Sequence, residues 1–260
     1  MASADIGIIG GTGVYDPQLL ENTRQIKVHT PYGSPSDLIT LGVFEGRNVA
    51  ILPRHGRNHT IPPHKVNWRA NIHALKQLGV KRILATCATG SLKEEYKPGD
   101  VVIVDQFIDF SKNVHGFYDE GKFYHVAMAE PFCSELRNIL IKAARDAGIS
   151  VHEKGTYARI EGPQFSTKAA SKMHSTYADL IGMTGVPEAI LSREAEICFA
   201  IIATITDYDV HIGKPTPFEE MKNVMARNID NTKNIIRGSL KQISSERNCI
   251  CKDALKGAEA

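Results

Sequence analysis

Short runs of apolar and β-branched residues alternate with helical patterns along almost the whole chain, and this alternation constrains the fold more than any other feature. Strands are predicted at residues 5–9, 80–86, 101–107, 155–160 and 198–206, with a hairpin at 38–44 and 48–52. Helices are predicted at residues 65–78, 132–147, 168–177 and 218–244. Because strands that alternate with helices build sheets with helices on their faces, we expect an α/β fold with a central mixed, twisted and partly barrel-like sheet flanked by helices.

The sequence shows no sign of division into separate domains. Its 260 residues contain no Pro/Ser-rich linker, internal repeat or low-complexity block, and this length is within the range of one large α/β domain. We therefore expect a single domain over residues 1–260, with a polar tail from about residue 245 that carries Cys249 and Cys251. The segment from His115 to His125 is predicted to be a surface loop and a candidate lid over an active site.

The charge and the apolar pattern exclude two classes of partner. Thirty-one Lys and Arg residues against 29 Asp and Glu give a formal net charge of +2, too small a surplus for a surface that binds duplex nucleic acid or an anionic membrane. The longest apolar stretch, residues 197–205, is shorter than the roughly 20 residues that cross a bilayer. Asp5 and the glycines after it interrupt the pattern of a signal peptide, so we expect a cytoplasmic protein.

A glycine-rich turn, Gly10-Gly11-Thr12-Gly13, follows the first predicted strand. It is not a dinucleotide-binding fingerprint, because Asp16 stands where the third glycine is required, and no Gly-Lys-Ser/Thr follows with the spacing of a P-loop. Consecutive backbone N–H groups beside the Thr12 hydroxyl can bind an anion. Such a turn is more often a plain tight connection, so its assignment depends on the rest of the chain.

Two further segments offer groups for the same anion. Residues 53–59 follow a predicted strand, and there the planar guanidinium of Arg54 can hold a phosphate, with His55 as an additional donor. Residues 85–91 are small and end an interior strand, where ligands of α/β sheets bind. The backbone at Ala88 can therefore approach the anion closely.

Two other chemical roles for these segments are weaker. A zinc site at His55 and His59 is disfavoured, because the sequence lacks the Glu of the zinc-protease pattern and Gly56 argues against the helix that would align the two imidazoles. Cys87 has no histidine positioned by sequence to activate it, so a buried, poorly reactive thiol is favoured over a nucleophile.

Groups suited to a heterocycle come later in the chain. Phe165 and Ser166 offer a ring for stacking and a hydroxyl in one turn, and Thr184 offers another anion donor in a loop before a helix. Either loop can equally serve packing alone. Asp207 and Asp209 stand at alternate positions at the end of the most apolar predicted strand. An acid in that setting tends to have a raised pKa and can hold a proton for a leaving group.

Taken in order, these segments resemble one family. The matching segments are GGTG (10–13), PRHGRNH (53–59), GSL (90–92), EGP (161–163), MTGVPE (183–188) and TDYD (206–209). Together they resemble the methylthioadenosine phosphorylases of the trimeric purine nucleoside phosphorylase superfamily, over about residues 5–243. The resemblance implies a nucleoside phosphorylase-like fold, a homotrimer or homohexamer, and phosphorolysis of 5′-methylthioadenosine to adenine and 5-methylthioribose 1-phosphate, with inorganic phosphate as co-substrate and no metal or organic cofactor.

The resemblance also assigns individual residues. The phosphate-binding residues would be Thr12, Arg54, His55, the backbone of Ala88, and Thr184. The purine would contact Phe165, Ser166, Asp207 and Asp209, with Met183 along the sugar. Phe218 and Met221 match apolar positions for the methylthio group, and His125 resembles a residue that reaches the ribose 5′ end across a subunit interface.

The chemistry of these residue types agrees with this family. Glycosidic cleavage passes through an oxocarbenium-like state that a phosphate anion stabilises, and an acid at purine N7, assigned to Asp207, neutralises the departing base. A carboxylate accepts from an exocyclic amino group and mismatches a 6-oxo group with protonated N1. Related 6-oxopurine enzymes carry Asn where this chain has Asp207, so adenine is the expected base.

Three positions depart from the family pattern. Cys87 replaces a hydroxyl residue near the phosphate, Gln164 replaces a common Arg, and Ala170 replaces a common Glu near the purine. A broader nucleoside phosphorylase that accepts adenosine, inosine or guanosine stays an alternative, and a catalytically silent nucleoside-binding protein stays a remote one.

The tail with Cys249 and Cys251 resembles the tails of hyperthermophile members, in which intracellular disulfides are found. For Cys133 and Cys198, both a disulfide and two buried thiols stay open. Metal binding by the tail is disfavoured, because no second Cys or His pair lies near it in sequence.

Overall fold

A computed structural model describes residues 3–11, 20–113, 115–118, 121–212 and 218–260, with their side chains except those of 218 and 220–222. The strands are β1 (Ile6–Gly10), β2 (Glu21–Ile26), β3 (Ile39–Phe44), β4 (Arg47–Pro53), β5 (Arg82–Ser91), β6 (Val101–Ile103), β7 (Gln106–Asp109), β8 (Val151–His152), β9 (Thr156–Arg159), β10 (Leu180–Gly182) and β11 (Cys198–Tyr208). The helices are α1 (Trp68–Gln77), α2 (Ser134–Asp146), α3 (Lys168–His174), α4 (Val186–Glu194) and α5 (Phe218–Gln242), with short 3₁₀ turns at Pro63–Lys65 and Ile250–Asp253. The predicted α/β class is confirmed.

The strands form one mixed sheet that does not close. Its path runs β2-β3-β4-β1-β5-β10-β9-β7, while β11 pairs with β5 and β6, and β6 pairs with β8. β1 is parallel to β4 and β5, whereas β3 is antiparallel to β2 and β4. In the described part of the chain β2 and β7 remain at separate ends of this path, so the barrel-like character expected from the sequence stops short of a closed barrel.

The central strand β5 has an opening along one of its edges. β11 pairs along the opposite edge from Arg82 to Ser91. The open edge is shared by two strands, because β1 pairs with residues 82–85 and β10 pairs with residues 90–91. Residues 86–89 lie between these two partners, so the sheet opens beside the small residues that the sequence places there.

Apolar layers cover both faces of the sheet. Consecutive residues of a strand point to opposite faces, and accordingly Ile83 and Phe199 pack in one core cluster while Leu84 and Ala200 pack in another. The first cluster includes α1 and α4, and the second includes α2 and α5. Among the described residues, no helix is long and apolar enough to cross a membrane.

Several elements differ from the prediction. The helix expected from residue 65 begins at Trp68, because the side chain of Asn67 caps it by accepting a hydrogen bond from the Ala70 N–H at 3.1 Å. The strand expected at 101–107 is two strands, β6 and β7. β2 has no counterpart in the prediction, since its sequence is mostly polar and exposed at the sheet edge.

The C-terminal tail packs against the rest of the chain. Cys249 and Cys251 are buried in the same core cluster as α2 and α5. The backbone N–H of His125 donates to the Ala258 carbonyl at 2.8 Å, and the N–H of Ala260 donates to the carbonyl of residue 123 at 3.2 Å. The tail therefore pairs with the segment that carries His125.

Candidate active site

A cavity of about 730 Å³ lies beside the opening in β5, within the size range of small-molecule sites. Of the residues assigned from the sequence, it brings together Arg54, His55, Ala88, Phe165, Ser166, Met183, Thr184, Asp207 and Asp209. The described parts of the candidate lid, 115–118 and 121–125, contribute no lining residue. Groups from distant parts of the chain thus share one space, which the described residues of the expected lid do not line.

Arg54 is held in one orientation by two neighbours. Its Nε and Nη2 donate to the carboxylate oxygens of Glu188 at 2.6 and 2.8 Å, and its Nη1 donates to the Thr86 carbonyl at 2.8 Å. The Arg54 and Glu188 side chains are 1% and 0% exposed. The planar fork that was expected to hold a phosphate therefore binds a carboxylate instead. Arg54 can offer a ligand its remaining N–H groups and its positive charge.

His55 forms part of the same wall in its neutral form. Its Nδ1 lies 2.8 Å from the Ile61 carbonyl oxygen, an arrangement that assigns the proton to Nδ1. Burial lowers the pKa of His55 to about 4, and the charge of Arg54 adds to this effect. Nε2 is consequently an acceptor at neutral pH, and the donor role expected from the sequence would need an extra proton.

Thr184 and Cys87 contact each other beside Arg54. The Thr184 N–H donates to the Tyr157 hydroxyl at 3.2 Å, and its Oγ1 donates to Cys87 Sγ at 3.5 Å. Gly185 permits this approach, because its φ is +81° and a Cβ there would lie 3.2 Å from that sulfur. Burial raises the pKa of the Cys87 thiol, which agrees with a poorly reactive cysteine.

Ala88 exposes its surface to the cavity between two buried neighbours, Cys87 and Thr89. The carbonyls of those neighbours accept hydrogen bonds from hydroxyls of β11, the Thr204 hydroxyl at 3.5 Å and the Thr206 hydroxyl at 3.2 Å. These contacts fix the β5 backbone from the β11 side, while the small side chain of Ala88 leaves room on the cavity side.

The two acids at the end of β11 both line the cavity. A bulge between Ile205 and Asp207 shifts the register with β5, and bulges commonly re-aim side chains next to active sites. Burial raises the pKa of Asp207; the Thr206 hydroxyl, which donates to it at 2.6 Å, partly opposes the shift, and the charge of Asp209 adds to it. Asp207 therefore keeps its proton to a higher pH than an exposed aspartate.

Three buried polar atoms on this wall have no hydrogen-bond partner among the residues that the structure describes. They are Ser166 Oγ, Asp209 Oδ2 and Asn228 Oδ1. Folded proteins rarely leave buried polar atoms unpaired, because each one costs free energy. All three can accept a hydrogen bond, so this wall suits a ligand that carries N–H groups.

The remaining assigned residues are placed differently. Phe165 lines the cavity but is 84% exposed. His125 is exposed and does not line the described cavity of its own chain. Thr12 lies outside the described residues; Phe218 and Met221 are in α5, but their side chains are not described.

Helix α5 supplies residues that the sequence analysis missed. Met225, Asn228, Ile229 and Thr232 line the cavity. Their spacing of i, i+3, i+4 and i+7 is one face of a helix, and that spacing is the signal that could have identified them. The contact between Arg54 and Glu188 has no comparable local signal, since the two residues are 134 positions apart.

Comparisons with known proteins give matches over nearly the full chain. A family model described as the phosphorylase superfamily matches residues 5–241. An S-methyl-5′-thioadenosine phosphorylase of Thermofilum pendens is 52% identical over 260 residues, which cover 99% of each chain. A probable 6-oxopurine nucleoside phosphorylase of Dictyoglomus turgidum is 51% identical over 255 residues, which cover 96% of each chain. The crystal structure of a methylthioadenosine phosphorylase from an antarctic soil metagenomic library is 45% identical with a TM-score of 0.95, covering 100% of this chain and 93% of that one.

The two relatives of nearly equal identity are named for different bases, so overall identity does not choose the base. The fold does not choose it either, because one fold can host many specificities. What the matches have in common is the family, and it is the one to which the ordered sequence motifs point. The chain belongs to the phosphorylase superfamily.

Proposed function

We propose that this protein cleaves 5′-methylthioadenosine with inorganic phosphate and releases adenine and 5-methylthioribose 1-phosphate. The observation that carries the proposal is a single cavity with a fixed cation in one part and a protonatable carboxyl in another. Thr86, which binds Arg54, and Gly90, which pairs with Asp207, are four positions apart on β5, or about 13 Å along a strand. That spacing suits a phosphate and a purine on either side of one ribose.

The phosphate end of the cavity comprises Arg54, His55, Ala88 and Thr184, with Thr12 as a further proposed donor. Arg54 supplies a positive charge that Glu188 and Thr86 hold in place. Inorganic phosphate carries at least one O–H at neutral pH, and we assign Nε2 of neutral His55 as the acceptor for it. The Thr184 hydroxyl turns from Cys87 to the phosphate, and the Ala88 backbone approaches it because nothing larger than a methyl group intervenes.

The base end comprises Ser166, Asp207, Asp209 and Asn228. In the reaction a phosphate oxygen forms a bond to C1′ as the bond from C1′ to N9 breaks, and the electron pair of that bond passes to the purine. Asp207 gives its proton to purine N7, so the base leaves neutral. Asp207 then recovers a proton from solvent, which completes the balance. A protonated carboxyl at a desolvated site is suited to this step because burial raises its pKa.

Adenine is favoured over 6-oxopurines by the hydrogen-bonding character of this end. Asp209 Oδ2 and Asn228 Oδ1 are buried acceptors to which no other described residue donates. An exocyclic amino group can donate to such atoms, whereas a 6-oxo group cannot. Phe165 provides a ring for stacking at the rim. We place Met183 along the ribose.

The 5′ methylthio group needs an apolar site. We assign it to the α5 face, where Met225 and Ile229 line the cavity, together with Phe218 and Met221 as the sequence resemblance implies. His125 would reach the ribose 5′ end of a neighbouring subunit, in agreement with its exposure and its absence from the described cavity wall of its own chain.

We further propose a homotrimer or homohexamer that acts in the cytoplasm and needs no metal or organic cofactor for the reaction. Phe165 and Phe123 are 84% and 48% exposed, and large exposed aromatic side chains are common where a partner subunit docks. Light scattering at micromolar concentration measures the assembly directly; a monomer would contradict it.

The broader alternative rests on the relative named for 6-oxopurines. The test measures release of free base from 5′-methylthioadenosine, adenosine, inosine and guanosine, each with and without phosphate, together with the sugar 1-phosphate formed. The proposal predicts the highest kcat/KM with 5′-methylthioadenosine, a strict need for phosphate, and equal amounts of the two products. Faster turnover of inosine would support the broader enzyme, and tight binding without base release would support a nucleoside-binding protein.

A further inference from the structure

Four of the five cysteines meet in the protein interior, apart from the cavity. The Sγ atoms of Cys133, Cys198, Cys249 and Cys251 all lie within 4.8 Å of one another, and those of Cys198 and Cys249 are 3.3 Å apart. The four residues are only 0–8% exposed. No second Cys or His pair lies near the tail in sequence, which disfavours a metal there, but the fold supplies that pair from two distant segments.

The backbone holds the two distant cysteines in place without help from the sulfur atoms. Cys133 precedes α2, and its N–H donates to the Phe199 carbonyl at 2.9 Å. Cys198 is the first residue of β11, and its N–H donates to the Lys81 carbonyl at 3.0 Å. Cys133 and Cys198 are therefore positioned by the start of a helix and the start of a strand that belong to the core. The tail adds the thiols of Cys249 and Cys251.

The spacing of the sulfur atoms fits one tetrahedral ion. A zinc ion bound by four cysteines has Zn–S bonds of about 2.3 Å, which places the sulfur atoms about 3.8 Å apart. The Sγ atoms of Cys198 and Cys249 are 3.3 Å apart and no pair of the four sulfur atoms is more than 4.8 Å apart, so the observed distances bracket this value. Shifts well below a bond length therefore convert the cluster into a closed coordination shell.

A buried cation stands on the strand that neighbours Cys198. Four thiolates around Zn²⁺ carry a net charge of −2, which is costly to bury without compensation. Arg82 is 3% exposed, pairs with Cys198 in the register of β5 and β11, and donates to the Glu246 carbonyl three positions before Cys249. This guanidinium is held at the same corner of the fold by the chain that leads into the tail.

We propose that Cys133, Cys198, Cys249 and Cys251 bind one Zn²⁺ ion as a structural site. Each thiol gives its proton to solvent as its sulfur binds the ion, and four protein ligands leave no position open for catalysis. The ion joins the start of α2, the start of β11 and the tail. The tail also pairs with residues 123–125, and Cys133 follows that segment in the chain. The ion would therefore hold the segment that carries His125 both through the tail and through Cys133.

The same four sulfur atoms could instead form disulfides, and the experiment separates the two chemistries. The full-length protein is purified under reducing conditions without chelator, equilibrated with Zn²⁺ and freed of excess metal, and its metal content and free thiols after denaturation are counted. We expect about one zinc per chain and five titratable thiols once the metal is removed. A reduced protein that retains no zinc, fewer than five thiols, or iron or copper in place of zinc would each overturn the proposal.

Matched serine variants locate the metal. Cys251→Ser and Cys133→Ser should each lower the zinc content by about tenfold or more, whereas Cys87→Ser, which alters the one cysteine outside the cluster, should retain it. Zinc kept by Cys251→Ser would contradict the assignment. If the cluster variants fail to fold, Co²⁺ substitution of the unmodified protein decides: thiolate-to-cobalt charge transfer with the strong visible bands of tetrahedral Co²⁺ supports the site, and their absence contradicts it.

A last readout connects the ion to the tail. Removal of zinc with a strong chelator should increase hydrogen exchange in residues 249–260 and 121–133 and leave β5 protected. Equal protection of the tail with and without the metal would contradict a structural role.

Discussion

The two ends of the cavity differ in how completely the protein satisfies their polar groups. At the phosphate end, Arg54 has a carboxylate and a carbonyl as partners, His55 binds the Ile61 carbonyl, and Thr184 contacts Cys87. At the base end, one polar atom each of Ser166, Asp209 and Asn228 is buried with no hydrogen-bond partner in the described part of the chain. The proposed phosphate end therefore has its polar groups paired within the fold, whereas the proposed base end offers unpaired groups to a ligand.

Because of this difference, effects on stability and on activity should separate between the two ends of the cavity. Groups that have protein partners contribute to folding, so their loss affects both the free energy of unfolding and the reaction. Groups left unpaired weaken the fold slightly and contribute only when a ligand binds, as in the trade-off between stability and function at many sites. Substitutions at the two ends should thus give distinct patterns, and the largest expected effect is at Arg54.

Arg54→Met should impair both folding and phosphate use. It leaves Glu188 as a buried unpaired charge, and breaking a buried pair from one side costs about 3–5 kcal/mol of unfolding free energy. Chemical denaturation measures this loss, and phosphate titration measures the rise in KM for phosphate. The control is Arg54→Met with Glu188→Leu, which should recover most of the stability and none of the phosphate affinity. An Arg54→Met protein as stable as the original would refute the account of this end.

Asp207→Asn should act on activity alone. The variant removes the proton donor, so kcat for 5′-methylthioadenosine should fall about 10²- to 10³-fold, while the free energy of unfolding stays the same or rises because a buried carboxyl is lost. In the unmodified enzyme kcat should decline as pH rises through the raised pKa of Asp207, since the protonated form is the active one. Steady-state kinetics over pH check both points, and an unchanged kcat in the variant would remove Asp207 from the acid role.

Low pH should lower the free energy of unfolding through protonation of His55. The pKa of His55 is about 4 in the folded chain against 6.5 for an ordinary histidine, so the unfolded state binds the proton more readily between these values. The stabilising contribution of the neutral ring is complete above pH 6.5 and is lost as pH falls toward 4. Denaturation at several pH values should show a shallower dependence for His55→Asn than for the original protein; identical slopes would contradict this origin of the acid sensitivity.

Asn228→Leu tests the smallest expected effect, at the base end. Its Oδ1 has no hydrogen-bond partner among the described residues, whereas its Nδ2 donates to the Ile205 carbonyl at 3.0 Å. Loss of the Oδ1 acceptor should raise the KM for the nucleoside by up to about tenfold through one missing hydrogen bond to the ligand, with the KM for phosphate unchanged. Loss of the Nδ2 bond should affect only the free energy of unfolding, because the Ile205 carbonyl keeps its bond from the Gly99 N–H at 2.8 Å. Ser239→Ala is the matched control, because Ser239 is buried in the same helix but does not line the cavity. Equal effects of the two variants on KM would show that Asn228 has only a structural role.

Much of the fold could be predicted from local patterns. The apolar strand that carries Asp207 near its end and the small residues around Ala88 are recognisable, because burial and close approach impose apolar and small side chains on short segments. The edge strand β2 escapes such patterns, since its exposed sequence carries no hydrophobic periodicity.

The site could be predicted only as far as its motifs reach. Sequence order indicates which residues bind an anion or a base, but Glu188 as the partner of Arg54 depends on a contact between distant segments. The meeting of Cys133 with Cys251 is of the same kind, because spatial proximity of that sort follows from the tertiary fold and leaves no local trace in the sequence.

The most direct test of the two-ended cavity is a crystal structure of the protein with phosphate and adenine bound together. We expect phosphate within hydrogen-bond distance of Arg54 and the Ala88 backbone, and adenine N7 within hydrogen-bond distance of a carboxyl oxygen of Asp207. Adenine bound beside Arg54, or bound in the cavity without contact to Asp207, would contradict it.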